Sequence, residues 1–376
     1  MKVGLVTIYT VPNFGSVLQA FATQKLLEKL GHECKIINYA YPNEWHYHHG
    51  FNKPSTFRSL LRNLRLKAQH RKKKILDNFC ATHFNLTPLY KNLDSLRKEK
   101  WDDYDAFIAG SDQIWNARYL KGDSFFMLSF VPDGISCFSL ASSFALKEIP
   151  EVYVTKYKKE LSKFKAFSVR EKNGIDIIQK QLGINKDVFV CLDPTLLLSK
   201  EEWLRIVPRS KFKKKRSYIL FYMWTYAFEP RPYIFEVLKY FQQQMDCEVI
   251  ALEGFTKKKY ALGVQMSEAS DSSIPEFIDL FSNADLVITS SFHGTAFALN
   301  FGIPLISIVP NNDGDDRQSC LLNSVEANNC IVKIGEDIKS ICPNYDITKI
   351  ISNLSEKREK CIKWINNCMI NKKSTL

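Results

Sequence analysis

Short apolar, β-branched runs alternate with stretches of helical spacing along most of the chain. Runs that are apolar on both faces mark parallel strands buried between helices. They predict strands over residues 3–9, 34–39, 104–109, 136–142, 166–169 and 188–192. A second series predicts strands over residues 218–224 and 248–252, then Leu286–Thr289, Leu305–Val309 and a last one near 330–334. Between the first two strands, Val17, Leu18, Phe21, Leu26, Leu27 and Leu30 predict a helix from about residue 16 to 30, stopped by Gly31. Residues Ile347–Ile370 predict a terminal helix, apolar at Ile350, Ile351, Leu354, Cys361, Ile362, Trp364 and Ile365.

The clearest unit is the stretch LVITSSFHGTAFALNFGIPLISIV, from Leu286 to Val309. A buried strand ends at Ser290-Ser291-Phe292-His293, Gly294-Thr295 opens a short apolar helix, Gly302 and Pro304 close it, and a second buried strand follows. In such βαβ units ligands sit beyond the carboxyl ends of the strands, facing helix N-termini that favour anions. A serine pair and a histidine stand at that position.

The alternation breaks between residues 40 and 100, where the chain is polar, strongly basic and carries His46, His48 and His49. No carboxylate or cysteine stands there at metal-ligand spacing, so this segment is expected to be a mobile surface insertion. The opening β-loop-α-β is Rossmann-like but lacks GxGxxG, which leaves a dinucleotide poorly supported. The expected architecture is α/β, two Rossmann-like domains facing each other across a cleft. Residues 1–200 form the first and 201–345 the second, and a helix over 346–376 packs back on the body.

Ten cysteines without a CxxC pair, several of them inside predicted strands, fit small buried side chains in a reducing compartment. No apolar run approaches the roughly 20 residues that span a bilayer. The start MKVGLVTIYT lacks the features of a signal peptide, so a cytoplasmic protein is expected. The net charge of +12 is concentrated in Arg58 to Lys74 and Lys211 to Arg216. Without a recognisable nucleic-acid motif, that excess fits an anionic membrane surface, phosphorylated substrates or a solvated helix face.

Four segments in order carry a resemblance. They are NFGSVLQAFATQKLLEKLGH (Asn13 to His32), GSDQIWN (Gly110 to Asn116), SVRE with the later LDPTLLL (Ser168 to Glu171, Leu192 to Leu198), and SSFHGTAFALNFGIP (Ser290 to Pro304). Together with Asp316-Arg317 and Leu321-Leu322 they resemble the polysaccharide pyruvyl transferase family, over nearly the whole chain. A small-residue stretch that in the family ends in glycine reads Ala141-Ser142-Ser143-Phe144-Ala145 here.

The resemblance implies a GT-B-like fold, phosphoenolpyruvate as donor, and as acceptor a sugar of a surface polysaccharide or its lipid-linked precursor. The product would be a pyruvate ketal, and neither a cofactor nor a metal is required. Acceptors of this kind are built at the inner face of the membrane, where the basic segment would hold the enzyme peripherally.

The reaction needs proton transfer, and His293 suits it because an imidazole titrates near neutrality; a structural hydrogen-bonder is the alternative. Arg170 matches the arginine of the family's SxRE segment and could clamp the donor's carboxylate or phosphate; a salt bridge with Glu171 is its alternative. The donor set is completed by Ser290, Ser291, Phe292, Arg317 and the backbone amides of Gly294 and Thr295. The acceptor side falls to the first half, on Asn13, Phe14, Gly15, Gln19, Ser111, Asp112 and Gln113, with Trp115 stacking on a sugar face. Asp112 is either the base for the acceptor hydroxyl or a helix cap. Two other readings stay open, a nucleotide-sugar glycosyltransferase of the same architecture and a non-catalytic carbohydrate-binding relative.

Overall fold

The computed structural model describes residues 1–42, 45, 71–210, 212–225, 227–252, 262–311 and 317–370. They form two compact units. The first comprises residues 1–42 and 45, Phe79–Leu197 and 357–370; the second comprises residues 71–78 and Leu198–Glu356.

In the first unit, β1 (Lys2–Val6), β2 (Glu33–Ile36), β3 (Ala106–Ala109) and β4 (Ser136–Ser139) form a sheet in the order β2-β1-β3-β4, every pair parallel. A parallel pair, β5 (Phe167–Val169) and β6 (Val188–Val190), continues it through single bridges Phe138–Ala166 and Ser142–Val169. All of β3 and β4 is buried, as their continuous apolar runs require. The crossover helix α1 (Phe14–Lys29) buries Val17, Leu18, Phe21, Leu26 and Leu27. From β1 the chain goes first to β2 on one side and then back to β3 on the other. The strand order therefore reverses between β1 and β3, the place where parallel sheets leave room for a ligand beyond their carboxyl ends.

The second unit has a single six-stranded parallel sheet. Its strands are β7 (Tyr218–Tyr222), β8 (Glu248–Ala251), β9 (Ser267–Glu268), β10 (Leu286–Thr289), β11 (Leu305–Val309) and β12 (Ile331–Lys333), in the order β12-β11-β10-β7-β8-β9. Here the reversal lies between β7 and β10. Helix α2 (Tyr233–Met245) packs Ile234, Val237 and Leu238 on the sheet, and α3 (Ile274–Ser282) starts from a capping box of Ser273 with Glu276. Helix α4 (Phe292–Phe301) is buried at every residue, which explains its nearly uniform apolar sequence, and ends on the left-handed Gly302. Helix α5 (Arg317–Ser324) follows β11.

The last helix, α6 (Ile347–Ile370), is divided between the units at Lys357. Its first part buries Ile350 and Leu354, and Asn353 donates to the Val325 carbonyl at 3.0 Å in the second unit. Its second part belongs to the first unit, where Trp364 stacks on Phe189 with centroids 5.5 Å apart and Arg358 Nε donates to the Leu196 carbonyl at 2.6 Å. Among the described residues no helix is long and apolar enough to cross a membrane.

The stretch before β3 differs from its expectation. Residues 79–101 are part of the first unit rather than a surface insertion. Phe79, Phe84, Tyr90, Leu96 and Trp101 are buried, and bridges Ile36–Leu86 and Tyr39–Tyr90 extend the sheet edge beside β2. Spaced aromatics do this work, and their irregular spacing gives no periodic signal. The basic run through residue 70 and His46, His48 and His49 lie outside the described residues.

Candidate functional site

In the second unit, the residues that follow β7 and β10 meet at the strand-order reversal. Ser290 joins them: its Oγ accepts from the Trp224 amide at 2.9 Å and donates to the Trp224 carbonyl at 2.8 Å. Thr289 Oγ1 donates to the Tyr222 carbonyl at 2.5 Å and accepts from the Ser291 amide at 2.9 Å. These bonds fix the last turn of chain before α4. Ser291 then caps the helix, its Oγ accepting from the Gly294 amide at 3.3 Å. His293, 6% exposed, thus sits in the first turn of a helix whose start is held from below, with its ring edge-on to Phe292 at 5.4 Å.

Beneath that turn lies a buried polar knot. Thr295 Oγ1 and Ser307 Oγ are 2.8 Å apart, and Gln318 Nε2 donates to Ser307 Oγ at 2.7 Å and to Thr295 Oγ1 at 3.3 Å. It ties α4, β11 and α5 together, so the helix carrying His293 and the helix beginning at the buried Arg317 are positioned by the same three side chains.

The first unit has its own constellation at its own reversal. Asn13 caps α1, accepting from the Gly15 amide at 2.8 Å and the Ser16 amide at 3.4 Å. Gln19 Nε2 donates to Thr7 Oγ1 at 2.8 Å and to the Ile8 carbonyl at 2.9 Å, which shapes the loop after β1. After β3, Asp112 adopts φ +72°, a left-handed conformation that costs a residue with a side chain roughly 1–2 kcal/mol. Its Oδ2 accepts from Ser16 Oγ at 2.7 Å and its Oδ1 from the Gln113 amide at 2.9 Å.

Arg170, at the end of β5, lies among three carboxylates. Nη1 is 2.8 Å from Asp193 Oδ2, Nη2 is 3.7 Å from Asp112 Oδ1, and Nε is 3.9 Å from Glu171 Oε2. Buried charge is tolerated only when paired and hydrogen-bonded, and every member meets that condition. Asp193 also accepts from Ser111 Oγ at 2.9 Å, Thr195 Oγ1 at 2.7 Å and the Thr195 amide at 2.9 Å. Glu171 accepts from Ser143 Oγ at 2.8 Å and from the amides of Phe144 at 3.1 Å and Ala145 at 3.2 Å.

The structure therefore brings the expected residues together in two groups, Ser290 to Thr295 with Arg317 on the second unit, and Asn13 to Gln19 with Ser111 to Gln113 and Arg170 on the first. Four roles need correction. Trp115 is wholly buried, with its indole N–H on the Phe126 carbonyl at 3.1 Å and its ring against Phe144 and Phe164, so it has no face for a sugar. The amides of Gly294 and Thr295 already serve Ser291, the second through its carbonyl at 3.0 Å, so neither is open to phosphate. The expected donor clamp, Arg170, is itself clamped by the protein's own carboxylates. Asp112 does not cap a helix; Asn116 does, for the short helix Ala117–Leu120.

Glu171 stands beside Arg170 as the salt-bridge alternative expects, whereas Asp193 joins the site without having been expected there. Asp193 follows a strand end directly and precedes a proline, a signal that sequence alone could have offered. Asp316 lies outside the described residues, and among those described no group of three histidine, cysteine or acidic side chains is placed to hold a metal ion.

Comparison with solved structures supports the two-unit α/β, GT-B-like fold. The UDP-GlcNAc 2-epimerase of Neisseria meningitidis, bound to UDP-GlcNAc, superposes with a TM-score of 0.52 at 12% identity, covering 99% of this chain and all 100% of that one. S. aureus MnaA, in its structure with UDP, gives a TM-score of 0.52 at 13% identity over 98% of this chain and 97% of its own. At such identity the likeness extends to the fold alone. No curated protein sequence matches the chain. The family model described as polysaccharide pyruvyl transferase matches residues 13–312, a span that contains the first constellation and Ser290 to Thr295 of the second, though not Arg317. The chain belongs to the polysaccharide pyruvyl transferase family.

Proposed function

We propose that this protein transfers the enolpyruvyl group of phosphoenolpyruvate to two hydroxyls of a saccharide, forming a pyruvate ketal and releasing phosphate. The saccharide is a sugar of a surface polysaccharide or of its lipid-linked precursor. The chemistry has a definite proton balance. The donor methylene gains a proton, its central carbon gains two sugar oxygens, and the C–O bond to phosphate breaks. Of the two protons the hydroxyls lose, one goes to the methyl carbon and one leaves with phosphate.

His293 is the group that moves protons in this reading. The observation that carries it is the placing of an imidazole in the first turn of α4, at the strand-order reversal of a member of this family. A side chain that only filled space there would not need the capped, Thr289-braced turn beneath it. An imidazole can give a proton to the methylene and take one from a hydroxyl at neutral pH. On the first unit, Asp112 and Asn13 are candidate partners for sugar hydroxyls, while the wholly buried Ser111 is spent on Asp193 and Arg170 acts by holding Asp112 and Asp193 in place.

A nucleotide-sugar donor is the second reading, because the strand order of the second unit is one that nucleotide-binding sheets adopt. Against it, the turn after β7 runs Met223-Trp224-Thr225, with no glycine to let a pyrophosphate approach the backbone. The test is turnover of phosphoenolpyruvate with a panel of galactose-, mannose- and N-acetylmannosamine-bearing acceptors, following phosphate release and product mass. His293→Ala should fold as the wild type does and lose ketal formation. Near-normal turnover by that variant would remove His293 from the chemistry, and turnover with nucleotide sugars alone would favour the second reading.

A further inference from the structure

Two buried thiols of the first unit lie against each other. Cys191 follows β6 directly, its amide donating to the Val169 carbonyl at 2.8 Å, so the sheet carries it. Cys361 stands on the part of α6 that belongs to the same unit. Its Sγ accepts from the Leu192 amide at 3.4 Å and from the Cys191 thiol. Around them α6 runs back along the segment in register, Trp364 on Phe189 and Arg358 Nε on the Leu196 carbonyl. That segment contains Asp193, the closest carboxylate to Arg170.

The two thiols are not equivalent. Burial pushes the Cys191 thiol well above its ordinary range. The Cys191 thiol and the Leu192 amide, both donating to Cys361, hold that thiol below its ordinary value despite its burial. Cys361 is thus the sulfur that carries thiolate character, the form that reacts with oxidants, and Cys191 stands beside it as a second thiol. Both are closed to bulk solvent, Cys191 1% and Cys361 2% exposed, so the oxidant that suits them is one little larger than water.

We propose that Cys191 and Cys361 form a reversible disulfide under hydrogen peroxide, and that this bond staples α6 to the segment leading into Asp193. The Cys361 thiolate attacks one peroxide oxygen, the O–O bond breaks, and hydroxide leaves, taking up the proton the thiol had released. The Cys191 sulfur then attacks the sulfenic acid so formed. The S–S bond forms, the S–O bond breaks, and the Cys191 proton leaves with the oxygen as water. The two thiols lose two electrons, and one peroxide becomes two waters. From hydrogen-bond contact the sulfurs need only a short closure to the S–S length of about 2.05 Å.

The test treats the folded full-length protein with hydrogen peroxide and maps its unreduced peptides by mass spectrometry. The peptides of Cys191 and Cys361 should appear joined, lighter by two hydrogens, and dithiothreitol should separate them. Amide hydrogen exchange over residues 189–196 should slow on oxidation, and the urea midpoint should rise because the bond closes a long loop. Cys191→Ser should stop at a Cys361 sulfenic acid that dimedone traps, whereas Cys361→Ser should leave Cys191 unmodified. Matching thermal midpoints of the reduced proteins show that each variant is folded, and alanine replaces serine where one is not. Both thiols intact after the exposed Cys342 has been oxidised overturns the proposal. So does a bond from Cys191 to Cys368, two helical turns beyond Cys361. A Cys191–Cys361 bond that leaves exchange unchanged overturns the staple.

Discussion

A methyl group added at Gly294 tests the framework under His293. An ideal Cβ there would lie 2.3 Å from Thr289 Oγ1, 3.0 Å from Thr289 Cβ and 3.1 Å from Tyr222 Cδ1. The nearest atom cannot swing away, because Thr289 Oγ1 is bonded to the Tyr222 carbonyl and the Ser291 amide in a wholly buried setting. Either the first turn of α4 lifts or the hydroxyl loses its partners. Overpacking of this kind costs about 1–3 kcal/mol, and forcing the hydroxyl off its two bonds adds about 1 kcal/mol for each. Alanine's better helix propensity returns about 1 kcal/mol. Gly294→Ala should therefore destabilise the second unit by about 3 kcal/mol. Thr289→Ala removes the 2.3 Å contact, leaving the tight ones at 3.0 and 3.1 Å, and costs about 1–2 kcal/mol through its lost bonds. In the double variant the worst clash is gone and the two hydroxyl bonds are lost only once, so the two effects should not add; their coupling should be about 2 kcal/mol in the stabilising sense. Urea unfolding followed by tryptophan fluorescence gives all four stabilities. A Gly294→Ala protein as stable as the wild type, or a strictly additive double variant, would refute the close-packing argument.

Three further outcomes follow from the first unit and from the buried thiols and phenols. Ala141 and Ala145 stand at φ +51° and +48°, so the stretch that in the family ends in glycine keeps the backbone of glycine without the residue. Ala145→Gly or Ala141→Gly should each stabilise by about 0.5–1 kcal/mol, read as a higher urea midpoint, since relief of left-handed strain exceeds glycine's entropy cost. Burial pushes the Cys137 thiol up to about 11, Cys330 to about 12, and the Tyr104 and Tyr233 hydroxyls to about 12. The folded form thus keeps protons that the unfolded chain releases above about pH 9. Stability contributed by these groups is complete below that pH and falls as it rises towards 12, which unfolding midpoints from pH 8 to 11 would show. Mass-spectrometric mapping of thiol labelling at pH 8 should find the exposed Cys342 modified long before Cys34, Cys137, Cys330 and Cys361, and rapid labelling of the buried thiols would contradict the burial.

Much of the fold could be read from apolar periodicity because parallel strands buried on both faces leave unbroken runs. Leu286–Thr289 and Leu305–Val309 fall where the pattern places them. The short β9, Ser267–Glu268, has no such signal because both residues are exposed on a sheet edge. Residues 79–101 escape the pattern because a basic composition next door hides single aromatics, Phe79, Phe84 and Trp101, that bury themselves without any period. Site positions are legible to the extent that they sit at strand ends; roles are not. Nothing in the letters around Trp115 distinguishes a ring open to a sugar from one enclosed by Phe144 and Phe164. Whether an arginine meets a substrate or its own neighbours likewise depends on Asp193, which lies 23 positions further along the chain.

That last distinction bears on where the donor's charge is met. Arg170 is 6% exposed and shares its guanidinium among Asp193, Asp112 and Glu171. One positive charge there faces three carboxylates, so the cluster leans negative even before a substrate is considered. A phosphate or carboxylate brought to it would meet repulsion from the acids as well as attraction from the arginine, and in a buried setting neither is screened away. The same cluster suits sugar hydroxyls, which donate to carboxylates and carry no charge to be repelled. On the second unit the residues that stand at the reversal, Ser290, Ser291 and His293, include no carboxylate. The division of labour proposed here, hydroxyls on the first unit and the anionic donor on the second, follows from where the acids lie.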